Sequence, residues 1–79
     1  MFTVYVLQDE TGKIYKGQTN NLTRRLREHK SFKTVTTSRM RNLKLVYKEE
    51  FETRLEAVKR EKYFKSAAGR KYLKIKMRP

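Results

Sequence analysis

The sequence predicts an α+β fold, a small antiparallel sheet with helices packed on it, in the order strand, strand, helix, strand, helix, tail. Three stretches carry that expectation. "FTVYVLQ" at 2–8 favours strand at nearly every position and is joined to "IYKGQT" by the turn-like "DETGK". "LKLVYKEEF" at 43–51 alternates apolar and charged residues, and "TRLEAVKREKYFKSAAG" at 53–69 carries start and stop signals of a helix.

The first two strands read as a hairpin, with Gly12 supplying a positive-φ position in the loop. Both faces of the first strand are apolar, which suggests a central strand. A five-residue loop, Asp9 to Lys13, sets Leu7 opposite Tyr15 and Tyr5 opposite Gly17, placing both phenols on one face. A four-residue loop would separate them. Gly17 across from Tyr5 leaves room for close approach of a backbone or ligand.

"NNLTRRLREHKSF" follows, with Asn20 or Asn21 as N-cap, Leu22 and Leu26 one turn apart, and a helix to about Lys30. "KTVTTSRMRN" lacks periodicity and reads as a loop. In the third strand Leu43, Leu45 and Tyr47 alternate against Lys44, Val46 and Lys48. The last long helix runs from about Arg54 to Ala68, opened by a Thr53/Glu56 capping box and closed by Gly69 at C′. The tail "RKYLKIKMRP" is a short helix or an extended arm.

With 79 residues, the chain is read as one domain spanning 1–79. Its 21 Lys and Arg against 8 Asp and Glu give a net charge of +13, a strong pull on polyanions, with nucleic acid the leading partner. A basic membrane-surface peptide competes, but the early tyrosines and β-branched residues look like sheet, not one long amphipathic helix. With no cysteine, disulfides and thiolate zinc sites are excluded. No apolar run reaches the roughly 20 residues of a membrane span, and the start lacks the basic and apolar regions of a secretion signal, so a cytoplasmic protein is expected.

One acid, Glu61, stands among nine Lys and Arg between Val58 and Pro79. On a helical projection with Leu55 at zero, Ala57, Phe64 and Ala68 fall at about 180–220° and Glu61 at about 240°, on the apolar face. A buried carboxylate needs a partner. Either an Arg from another element pairs with it, or it is a cation ligand at the floor of a site. In the first helix Arg25 and His29 lie one turn apart at the edge of the apolar stripe. Together they suit a phosphodiester, Arg gripping oxygens bidentately and His exchanging protons near neutral pH. Taken singly, Arg25 reads as a solvated arginine, His29 as a satisfied, partly buried side chain, and the tyrosines as sheet packing.

"TVY" at 3–5, "YKG" at 15–17, "NLTRRLREH" at 21–29 and "EAVKREKYFK" at 56–65 resemble, in order and spacing, the GIY-YIG nuclease superfamily. The likeness is closest to small standalone bacterial members similar to the N-terminal nuclease domain of the DNA-repair excinuclease, and covers about residues 2–72. It implies a three-stranded antiparallel sheet flanked by helices and metal-dependent endonucleolytic hydrolysis of DNA, with repair or recombination as the setting. By motif position Tyr5 and Tyr15 match the signature tyrosines, Arg25 the catalytic arginine, His29 a histidine of some members, and Glu61 the metal-binding glutamate, for Mg²⁺ or Mn²⁺. Close cations would favour a Tyr5 phenolate as base, with His29 relaying the proton and Tyr15 positioning water or phosphate. Lys13, Lys16, Thr19, Arg24, Lys33, Arg39, Arg41, Lys65, Arg70 and Lys71, with the loop from Thr34 to Arg41, would track the nucleic-acid backbone.

There are three departures from the family pattern. TVY stands for GIY. Lys16 replaces the usual apolar residue of YIG and is expected to snorkel towards DNA. Leu73 occupies the region where many larger members carry an Asn. The alternative function is a non-catalytic basic nucleic-acid-binding module on the same fold, against which the lone Glu61 argues, since an acid repels phosphate.

Overall fold

The computed structural model describes residues 1–30 and 42–77. Strands β1 (Phe2–Gln8) and β2 (Ile14–Thr19) precede helix α1 (Leu22–Lys30); β3 (Lys44–Phe51), α2 (Arg54–Lys65) and α3 (Ala67–Lys76) follow. The antiparallel sheet has the order β2-β1-β3, so the doubly apolar β1 is the central strand.

The hairpin closes over the five-residue loop. Asp9 Oδ1 accepts from Thr11 N, Thr11 Oγ1 and Lys13 N at 2.9, 2.7 and 2.8 Å, and Gly12 turns the chain at φ +93°. The hydrogen bond from Thr11, ahead of the backbone donors, holds the Asp9 carboxyl below its usual pKa. The resulting register pairs Tyr5 with Gly17 and Leu7 with Tyr15. Alternation then puts Thr3, Tyr5 and Leu7 of β1 on the same face as Tyr15, Gly17 and Thr19 of β2, and Val4, Val6 and Lys16 on the other.

The main core lies on that second face. Val4, Val6, Ala57, Phe64 and Leu73 are fully enclosed, flanked by Val46, Tyr47 and Tyr72. Each large apolar side chain there contributes roughly 1.5–3 kcal/mol. Arg60 of α2 ties the layers together. Its guanidinium lies 4.8 Å from the ring centroids of Tyr63, Phe64 and Tyr72 and meets Glu49 of β3 at 2.7 and 3.1 Å. Burial works against the Glu49 carboxylate, yet the hydrogen bonds from Arg60 and Tyr47 prevail and hold its pKa below the usual range.

Simple alternation fails in β3. The pairing shifts between Val6 and Leu7, whose partners are Tyr47 and Leu45, so Val46 is an extra, bulged residue and both Val46 and Tyr47 pack on the core. The long helix also ends early. It stops at Lys65, and Ser66 caps its end through a backbone bond to the Tyr63 carbonyl while its hydroxyl accepts from Gly69 N at 3.1 Å to open α3. Gly69 is therefore not a C′ residue. It is buried in the first turn of α3, where a Cβ would collide with the Tyr63 carbonyl and the Phe64 backbone. The tail is α3 itself, held by Leu73 in the core.

Candidate functional site

The sheet face opposite the main core carries the two phenols, and α1 lies against it. Asn21 is the helix N-cap: its Oδ1 accepts from Arg24 N at 3.0 Å. Thr19 orients that cap. Its buried hydroxyl accepts from Asn21 N at 3.1 Å and reaches the Asn21 carbonyl at 3.4 Å. Thr19 is thus engaged in positioning α1.

So held, α1 turns His29 and Arg25 onto the tyrosines. Tyr5 Oη lies 2.9 Å from His29 Nε2, and ring centroids are 6.2 Å apart for Tyr5 and Tyr15, 5.8 Å for Tyr5 and His29, and 4.9 Å for Tyr15 and His29. Gly17 makes the arrangement geometrically feasible. A Cβ there would stand 2.7 Å from Tyr5 Oη and 3.1 Å from Tyr15 Cε1. Tyr5 and His29 are buried, Tyr15 is partly exposed, and the Arg25 side chain is 33% exposed, with Nη1 3.3 Å from Glu28 Oε1.

The protonation states differ from the sequence expectation. Burial pushes the Tyr5 phenol up to about 12 and outweighs the hydrogen bond and charge of Arg25, so at neutral pH Tyr5 is a neutral hydroxyl and not a phenolate. Hydrogen bonding to Tyr5, with a lesser contribution from Tyr15, holds the Arg25 guanidinium above its ordinary range. His29 is pushed down, first by burial and then by the Arg25 charge, and stays neutral near pH 7. A neutral imidazole keeps one ring nitrogen able to accept a proton.

Glu61 comes from the other side of the sheet, on α2, whose Ala57 and Phe64 join Val4 and Val6 in the core. It is half-buried, as its place on the helix foretold, but among the described residues no Arg of another element pairs with it: Lys65 Nζ, one turn on, lies 2.9 Å from Glu61 Oε2. With 57% and 21% of the two side chains exposed, such a pair is worth only about 0.3–0.5 kcal/mol and would yield readily to a divalent cation. Among the described residues no group of three or more His, Cys, Asp or Glu gathers. A single carboxylate nevertheless fits Mg²⁺ or Mn²⁺, hard ions that keep several waters and take phosphate oxygens as further ligands. The structure thus brings Tyr5, Tyr15, Arg25 and His29 together, and leaves Glu61 with Lys65.

Of the expected strand-tracking residues, Lys13, Arg24, Lys65, Arg70 and Lys71 are exposed, while Lys33, Arg39, Arg41 and the loop from Thr34 to Arg41 lie outside the described residues. Lys16 is half-buried on the face away from the tyrosines, where burial and then Arg70 and Lys65 lower its pKa. It lines a groove with Arg70 and Lys74. Lys74 was missed from sequence, although its i, i+4 spacing from Arg70 on α3 could have pointed to it. Leu73, at the position where an Asn was looked for, is a core residue. No helix among the described residues is long and apolar enough to cross a membrane.

A family model described as the GIY-YIG catalytic domain matches residues 1–73. The UPF0213 protein of Limosilactobacillus reuteri is 36% identical over 72 residues, covering 87% of this chain and 75% of its own length. A UPF0213 protein of Bacillus licheniformis is 38% identical over 78 residues, covering 94% and 80%. The solution NMR structure of a UPF0213 protein from Bacillus halodurans superposes with a TM-score of 0.60 at 31% identity, over 100% of this chain and 89% of that one.

Proposed function

The chain belongs to the GIY-YIG catalytic-domain family, a family of nucleases, and on that premise we propose that it is a divalent-metal-dependent endonuclease hydrolysing DNA phosphodiester bonds, in the setting of repair or recombination. The observation that carries this reading is the meeting of Tyr5, Tyr15, Arg25 and His29, from three elements, on one face of the sheet around Gly17.

Hydrolysis adds a water oxygen to phosphorus and breaks one P–O ester bond, whose leaving oxygen takes a proton from solvent water. A proton must leave the water while negative charge gathers on the phosphoryl oxygens. Arg25, partly exposed and permanently charged, binds those oxygens, its fork matching two of them. The proton passes inward. Tyr15 is the partly exposed tyrosine, Tyr5 lies behind it, and His29 Nε2, 2.9 Å from Tyr5 Oη, would accept from Tyr5 in the tautomer that carries its proton on Nδ1; each hydroxyl takes one proton as it releases another. A metal ion held by Glu61 would supply further positive charge on the phosphoryl oxygens.

The test is nicking of supercoiled plasmid by wild type, Arg25→Ala and Glu61→Ala in Mg²⁺, Mn²⁺ and EDTA. Cutting by wild type only with metal, reduced about 100- to 1000-fold in Arg25→Ala, is expected. Nicking that survives EDTA and both substitutions overturns the proposal. Retained DNA binding without any nicking would leave the non-catalytic binding module as the function.

A further inference from the structure

The sheet face away from the tyrosines carries a groove with no part in the chemistry above. It has a volume of about 610 Å³; Lys16 of β2 with Arg70 and Lys74 of α3 supply its charge, and Ile14, Leu73 and Met77 its apolar wall. No acid lines it, and among the described residues none of the three cations is ion-paired. Burial, and after it the nearby charges of Arg70 and Lys65, depress the Lys16 ammonium. Such an arrangement costs stability in the free protein and is relieved by a polyanion. Cations beside an apolar wall match a nucleotide strand, phosphates on the ammonium and guanidinium groups and bases against the accessible Ile14 and Met77.

The groove's position sets the kind of strand. Tyr15 and Lys16 are consecutive residues of β2, so they point to opposite faces, and β2 is an edge strand. A strand lying on Arg25 and Tyr15 reaches Lys16 only by passing round that edge. Duplex DNA is stiff over about 50 nm and cannot fold round a molecule whose longest extent is 28 Å. A single strand can.

We propose that Lys16, Arg70 and Lys74 form a second strand-binding site, taking a single-stranded segment that crosses the β2 edge from the tyrosine face, so that the substrate is single-stranded or branched DNA. The inference rests on DNA as the substrate, but its test is independent of cleavage.

Binding is measured by fluorescence anisotropy in EDTA, with a labelled oligothymidylate and a blunt duplex of equal length. The groove triple, Lys16→Gln with Arg70→Gln and Lys74→Gln, is compared with a charge-matched control, Arg54→Gln with Lys59→Gln and Lys62→Gln on exposed positions of α2; circular dichroism confirms that both fold. The groove triple should weaken binding of the single strand at least tenfold more than the control. The slope of log affinity against log salt should flatten by about 2, for three contacts at about 0.7 each. Equal losses in the two triples would reduce the effect to net charge and overturn the proposal. A blunt duplex that binds as tightly as the single strand, with the same dependence on the groove, would overturn the strand crossing. Absence of plasmid cutting would sink the nuclease reading alone.

Discussion

Gly17→Ala tests how the site is packed. The new Cβ would lie 2.7 Å from Tyr5 Oη, 2.8 Å from Tyr5 Cζ and 3.1 Å from Tyr15 Cε1, whereas ordinary contact begins at 3.4 Å. Tyr5 must therefore retreat by about 0.7 Å, and being enclosed on all sides it can do so only by displacing its neighbours. Its 2.9 Å bond to His29 is then stretched or broken. Overpacking of this kind costs about 1–3 kcal/mol, to which a lost buried hydrogen bond adds about 1 kcal/mol. In a domain of this size the combined loss of about 2–4 kcal/mol is a fall in Tm of about 8–32 °C, and activity should drop at least tenfold at a temperature where the variant remains folded. Gly12→Ala is the control. Its Cβ would meet nothing within 4 Å, so only the φ of +93° is strained, which costs about 1–2 kcal/mol and leaves cutting intact. Gly17→Ala with wild-type Tm and wild-type nicking would refute the convergence of the two phenols.

Glu61→Gln should abolish metal-dependent nicking while changing stability by no more than about 0.5 kcal/mol, because only an exposed pair is lost; urea titration separates the two. His29 gives a pH signature. Its folded pKa lies below the ordinary value of about 6.5, so in the window below that value the unfolded chain binds a proton that the folded protein does not, and stability rises with pH until both forms are neutral. Urea midpoints should accordingly be lower at pH 5 than at pH 7, and the difference should shrink in His29→Gln. Gly69→Ala should cost about 3 kcal/mol or more, since the obstacle is the backbone of Tyr63 and Phe64, and circular dichroism should show a partly or wholly unfolded protein. Arg60→Ala leaves Glu49 without its bidentate partner and removes three ring contacts, a loss of about 3 kcal/mol in urea titration.

The hairpin was legible in the sequence because strand alternation is strict: once the loop has five residues, the faces of Tyr5, Tyr15 and Lys16 follow. Helical periodicity likewise put Arg25 and His29 on one side of α1 and Glu61 near the buried side of α2. What escaped depends on tertiary contacts. Ala67 and Ala68 favour helix so strongly that the break at Ser66, made by a side-chain cap, left little trace in the pattern. The bulge at Val46 arises from pairing with β1 and has no local signature. Nor does periodicity reveal how far burial lifts the Tyr5 phenol, since that depends on α1 closing over it; charge counting near Arg25 alone pointed the other way.

Arg25 and Glu61 approach from opposite layers of the fold, and the proposed chemistry requires them to act on one phosphate. The most direct measurement is a double-mutant cycle of initial nicking rates in Mg²⁺ for wild type, Arg25→Ala, Glu61→Gln and the double variant. Groups acting on the same phosphoryl oxygens should be strongly non-additive, the double variant little slower than the slower single one. Strictly additive losses, or either single variant cutting at the wild-type rate, would contradict it.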